Sequence, residues 1–144
     1  MTKPDKSVST FLSGFNCAQA ILSAWTSELD LDQKTALRLA TGLGAGISRM
    51  GETCGAVSGA VLVIGLKHGR DRLEAGEARE KTYDLAQKFM SEFKLRNGSI
   101  RCKELLGFDI STPEGLRAIN EKGLEQTVCA KLVSDAAEIL ESLL

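Results

Sequence analysis

Apolar residues return every three to four positions along nearly the whole chain, the period of an amphipathic helix. Behind Asn16, a residue suited to cap a helix start, Ala18, Ile21, Leu22 and Trp25 fall on one stripe. Gly14 separates this helix from a short helical turn around Val8 to Leu12. A second helix is predicted from about Asp32 to Gly42, with Ala36, Leu37 and Ala40 facing inward. The stretch GLGAGISRMGE follows and suits a connection with positive φ or close backbone approach. Residues 53–68 contain Val61, Leu62, Val63 and Ile64, which would also suit a buried strand. No second strand exists to pair with it, so a buried helix is predicted. In that helix Gly55 and Gly59, and likewise Ala56 and Ala60, form a low ridge against which another helix can pack closely.

The pattern from Arg72 to Leu95 is long, with Leu85, Ala86, Phe89, Met90 and Phe93 as its core stripe. A short helix follows Ser99 and stops at Gly107, and another begins with Thr112 and Pro113 and stops near Gly123. The last helix, about 127–143, buries Leu132, Val133, Ala136, Ile139, Leu140 and Leu143. The expected fold is all-α: a single domain over residues 1–144, built as one compact bundle of about six to seven helices. A chain of this length buries about 70% of the surface its unfolded form exposes. It does not need disulfides to hold together.

Charge narrows the function classes. The net charge of −1 offers no basic face for nucleic acid or an anionic membrane. The longest apolar run, AVLVIGL at 60–66, is far too short for a membrane span. MTKPDKSVST lacks the layout of a signal peptide, so a cytoplasmic location is expected. Thiols stay reduced there, and the four cysteines point to metal or redox chemistry more than to a disulfide framework.

Cys17, Cys54, Cys102 and Cys129 each fall near a predicted helix N-terminus. A helix start presents unpaired N–H groups and about half a positive charge, which favours a thiolate. One terminus contributes only about 0.3–1 kcal/mol, less than one pKa unit. A strong effect therefore requires several starts to converge. Core filling is the plain alternative, and Cys17 shares its stripe with Ile21 and Trp25. The gaps of 37, 48 and 27 positions include no C-x-x-C, so neither a zinc finger nor a thioredoxin motif is present. A four-thiolate site assembled by folding can hold a thiophilic metal or an iron–sulfur cluster. Cys54 and one neighbour can equally form a redox dithiol.

Around Cys54, the residues Arg49, Gly51, Gly55, Ala56 and Gly59 are the candidate supporting shell for an anionic cluster. Arg101, Lys103 and Lys131 flank the later cysteines and would lower a thiol pKa if they faced it. His68, the only histidine, lies about 21 Å along the helix from Cys54 and reads as an exposed helix-end residue. GLGAG lacks both the strand of a dinucleotide site and the lysine of a P-loop, so structural glycine is the reading, with one alternative: the loop's N–H groups, with Arg49, help neutralise an anionic cluster next to Cys54.

Taken together, GFNCAQAIL (14–22), GLGAGISRMGETCGAVSGAVLVIGLKHG (42–69), CKELLG (102–107) and VCAKL (128–132) resemble the C-GCAxxG-C-C family of redox-active proteins. The family label writes its central motif as GCAxxG, where this chain has Cys54, Gly55, Ala56, Val57, Ser58 and Gly59. The resemblance implies one shared function for the four cysteines, beside a redox partner such as an oxidoreductase or transporter system.

The first reading is electron transfer by a metal or iron–sulfur centre on the four cysteines, since a cation relieves thiolate repulsion better than helix dipoles do. The alternatives are a metal-free thiol–disulfide protein, a helical interaction module with inert thiols, such as a homodimer, and a structural zinc site.

Overall fold

The computed structural model describes residues 1–144 and forms eight α-helices, with no strand. Helix α1 (Lys3–Leu12) starts where the Thr2 hydroxyl accepts the Asp5 N–H at 3.1 Å. It is longer than the single turn predicted around Val8 to Leu12. Its polar first half carries no apolar period, and the cap and packing against the last helix set its length.

Helices α2 (Cys17–Ser23) and α3 (Gln33–Ala40) begin at Asn16 and Asp32 as expected. A 3₁₀ turn, Thr41–Leu43, leads into the glycine-rich connection. The ambiguous apolar stretch is helix α4 (Gly55–His68). Next come α5 (Gly76–Asn97), α6 (Cys102–Leu106) and α7 (Pro113–Glu121). The last, α8 (Ala130–Leu143), is preceded by a π turn over Glu125–Cys129.

The core unites the predicted stripes: Ile21 and Leu22 of α2, Val57, Val63 and Ile64 of α4, Phe89 and Phe93 of α5, and Val133, Ile139 and Leu140 of α8 are buried. Each such side chain contributes roughly 1.5–3 kcal/mol of transfer free energy. Phe89 and Phe93 stack with ring centroids 6.0 Å apart.

The α2–α4 contact is the most extensive in the molecule, and glycine makes it possible. A β-carbon at Gly59 would lie 2.9 Å from the Ala18 carbonyl oxygen, closer than carbon and backbone oxygen tolerate. A smaller cluster of Cys102, Leu106, Ile110 and Ile119 sits beside the main core. No helix is long and apolar enough to cross a membrane.

Candidate functional site

Cys17 is the first residue of α2, and a closed ring of hydrogen bonds fixes its position. Asn16 Oδ1 accepts the Gln19 N–H, and Gln19 Oε1 accepts the Asn16 N–H, both at 2.9 Å. This capping box satisfies two amides that the helix itself cannot. The same side chains reach across to α3: Asn16 Nδ2 donates to Thr41 O and Gln19 Nε2 to Leu37 O, each at 2.9 Å. Gly44 packs directly on the Asn16 side chain, leaving no room there for a β-carbon.

The glycine-rich connection turns the wrong way for L-residues. Ala45, Gly46, Ile47, Ser48 and Arg49 have φ of 56°, 67°, 66°, 53° and 67°, a single left-handed turn in which only Gly46 is glycine. Left-handed backbone costs roughly 1–2 kcal/mol for each residue with a β-carbon. Side-chain and backbone closure hold the turn: Ser48 Oγ donates to Gly42 O and the Glu52 N–H to Gly46 O, both at 2.9 Å. Here Gly46 is required twice over. Its φ is positive, and a β-carbon would meet Cys102 Cβ at 2.7 Å.

Just beyond the turn, residues 51–54 pair with 100–103. Cys54 N–H donates to Ile100 O at 2.8 Å, Cys102 N–H to Glu52 O at 2.6 Å, and Lys103 N–H to Gly51 O at 3.1 Å. This short antiparallel contact brings the starts of α4 and α6 together. Cys54 is the residue that begins α4, and Cys102 is the first residue of α6. Cys129 closes the π turn that runs into α8. The chain is already helical there, so no open helix start faces its sulfur.

Gly55 then sets the distance between α4 and α2. A β-carbon on it would lie 2.5 Å from Cys17 Sγ, so only glycine lets this sulfur approach Cys54. All four cysteines are free thiols, with Cys17 and Cys129 partly buried and Cys54 and Cys102 buried.

Their acidities diverge. A hydrogen bond from the Cys54 thiol lowers the Cys17 pKa from 9.0 to about 7, against the opposing effect of burial. The amides of Ala45, Cys17 and Ala18 lower it further, so the left-handed turn and the start of α2 both favour the charge on this sulfur. Cys54, as the donor, is pushed well above its ordinary value, with burial and the Cys17 charge adding to the effect. Burial and then the Cys17 charge push Cys102 up to about 11. Cys129 is also raised, by burial first and then by the charges of Cys17, Cys102 and Glu125. Cys17 is therefore the most acidic of the four thiols.

All four cysteines line one cavity of about 660 Å³. Of the supporting residues predicted from sequence, Arg49 and Gly55 line it. Gly51, Ala56 and Gly59 do not: Gly51 faces Lys103 and Asp109, while Ala56 and Gly59 are buried in helix packing. Arg101, Lys103 and Lys131 do not lower the neighbouring thiols. Arg101 and Lys103 pair with Glu52, and Lys131 with Asp135. His68 ends α4, its pKa lowered by burial and by nearby Lys81 and Lys67, and it is not part of the cavity wall.

The amides of the glycine-rich loop were expected to support a cluster next to Cys54; the one that acts is that of Ala45, and it supports Cys17. Phe11 and Phe15, which line the cavity, were not singled out from sequence. No three His, Cys, Asp or Glu side chains gather closely enough to hold a metal ion. The sulfurs therefore share a wall without forming a ready coordination sphere.

Residues 15–143 match a family model described as "Putative redox-active protein (C_GCAxxG_C_C)". No curated protein and no solved structure matches the chain.

Proposed function

Because the chain belongs to the C-GCAxxG-C-C family of redox-active proteins, we propose that it is a thiol–disulfide redox protein in which Cys17 attacks and Cys54 resolves. The observation that carries this reading is the seat of Cys17 Sγ against Gly55 at the start of α4, next to Cys54, where the Cys54 thiol lowers the Cys17 pKa to about 7. The most effective attacking thiol has a pKa close to ambient pH, because a lower pKa trades nucleophilicity for ionisation.

In the first step the Cys17 thiolate attacks one sulfur of a substrate disulfide. The Cys17–substrate bond forms, the substrate S–S bond breaks, and one substrate thiolate leaves. Charge on Cys17 disappears at that moment, which removes one of the influences that kept Cys54 protonated. Cys54 then passes its proton to the released substrate thiolate and attacks Cys17 Sγ; the Cys17–Cys54 bond forms, the Cys17–substrate bond breaks, and the second half of the substrate leaves as a thiolate. Two protein thiols are oxidised and one substrate disulfide is reduced. An external dithiol returns the pair to its starting state.

A second reading, a thiophilic metal or iron–sulfur centre, is favoured by one observation: all four cysteines line the same cavity. It asks Cys54, Cys102 and Cys129 to lose protons that burial and neighbouring charge now retain. One experiment separates the two readings. Protein purified without oxygen is assayed for visible absorption and metal, then titrated with a disulfide and mapped by mass spectrometry. A single Cys17–Cys54 disulfide with no stoichiometric metal is expected. Stoichiometric iron or copper with visible absorption would overturn the dithiol reading in favour of the metal centre.

A further inference from the structure

We propose that the cavity binds a low-molecular-weight disulfide carrying a carboxylate, and that Arg49 anchors the carboxylate. This rests on the reading of Cys17 as the attacking thiolate and names the class of molecule it attacks.

Three observations converge on it. First, the reactive sulfur lies in the wall of a cavity of about 660 Å³, a volume suited to a small molecule. Phe11, Leu12 and Phe15 offer an apolar surface for an aliphatic body.

Second, Arg49 and Glu125 are the only charged residues in the lining. Arg49 has no carboxylate within salt-bridge distance, and it is the one cation in the cavity wall. The charge of Glu125 bears on Cys129. A guanidinium without a partner presents a fork that fits a carboxylate with two parallel hydrogen bonds.

Third, Arg49 is the last residue of the left-handed turn whose first residue, Ala45, lines the same cavity as Cys17, and the Ala45 amide favours the Cys17 thiolate. One short strained segment therefore carries both the group that supports the thiolate and the cation. Strain of this kind persists at sites where positioning matters. The cation also answers an electrostatic problem. An anionic disulfide approaching a thiolate in an apolar cavity is repelled unless a positive charge receives its carboxylate.

The chemistry is the exchange already described: one carboxylate-bearing disulfide and two protein thiols give the Cys17–Cys54 disulfide and two ligand thiols, with no other oxidant consumed. The test compares 3,3′-dithiodipropionate, bis(2-hydroxyethyl) disulfide and cystamine, which are anionic, neutral and cationic disulfides of similar size. Each rate of Cys17 oxidation is divided by the rate of the same disulfide with a free small-molecule thiolate.

The normalised rate for dithiodipropionate is expected to exceed that for cystamine by about tenfold, the effect of one hydrogen bond to a charged group. That ratio should fall to within about twofold in Arg49→Gln, and Arg49→Lys should retain an intermediate preference because it keeps the charge. A wild-type preference for cystamine, or a ratio unchanged in Arg49→Gln, would overturn the proposal.

Binding of dithiodipropionate to Cys17→Ser, which cannot exchange, separates the two ideas. If the wild type exchanges with none of the three disulfides, the thiol–disulfide reading fails. Arg49-dependent binding to Cys17→Ser would still support the site. No binding, or binding insensitive to Arg49, would overturn it.

Discussion

Cys17 and Cys54 are chemically identical residues made unlike by a single hydrogen bond between them and by what surrounds each. The Cys54 thiol and three nearby amides lower the Cys17 pKa, while Cys17 and burial raise that of Cys54. Gly55 is what permits this contact, because Cys17 Sγ occupies the place a side chain at residue 55 would take. Gly55→Ala is therefore expected to push the two sulfurs apart. The Cys17 alkylation midpoint should rise from about 7 toward 9.0. Disulfide formation should slow by roughly tenfold or more, since the lost hydrogen bond to a charged group is worth about 1.5–3 kcal/mol. Iodoacetamide labelling against pH, with peptide mapping, measures the midpoint. A midpoint still near 7 in Gly55→Ala would show that the thiol pair is not what sets it.

At the scale of elements, the unusual unit is the left-handed turn over residues 45–49. Four of its residues carry β-carbons and still hold φ between 53° and 67°. None of Ala, Ile, Ser or Arg prefers that region, so the turn is imposed by its closures and by packing against Cys102 and Asn16. Replacing Ala45 with glycine relieves the strain without touching a side-chain contact of the cavity's polar groups. Stability should increase by about 1 kcal/mol, while the larger freedom of glycine in the unfolded chain reduces the gain. Gly46→Ala should do the reverse and lower stability by about 2–3 kcal/mol, because strain and collision with the Glu52 amide and Cys102 Cβ act together. Urea midpoints of the two variants check both signs. A stable Gly46→Ala protein would mean that the turn can adopt another path.

For the whole molecule, the thiols impose a pH dependence with a turning point. The folded pKa of Cys17 lies below its ordinary value of 9.0, at about 7. Its contribution to stability is fully present above 9 and is lost as pH falls through 7. Cys54, Cys102 and Cys129 have raised folded values, so folding favours their neutral forms. Their contribution is present below about 9 and is lost as pH rises beyond it, when the unfolded thiols ionise. Stability from the four thiols should therefore climb from pH 7 and pass its maximum between about pH 8 and 9. In Cys17→Ser the rise should vanish while the fall at high pH remains. Denaturant midpoints at several pH values, in reducing buffer, measure this. A rise that persists in Cys17→Ser would assign it to another group.

Much of the architecture was written in local patterns. The period of apolar residues determined that Leu85 to Phe93 and Leu132 to Leu143 form helical stripes, and the Asn16, Asp32 and Thr112 caps marked three helix starts. Small residues at 55, 56, 59 and 60 likewise announced a close helix contact, because absent side-chain volume is a property of the sequence itself. The extent of α1 was not legible, since its first half, KPDKS, has no apolar period and is stabilised by a cap and a distant helix. The charge environment was not legible either. Arg101, Lys103 and Lys131 stand beside cysteines in sequence, yet Glu52 and Asp135 neutralise them from elsewhere in space. By itself the sequence determined which residues are thiols and which helices carry them. Only the tertiary structure decided which thiol ionises, because pKa depends on a sulfur's burial, hydrogen bonds and neighbouring charge, and these arise from segments far apart along the chain.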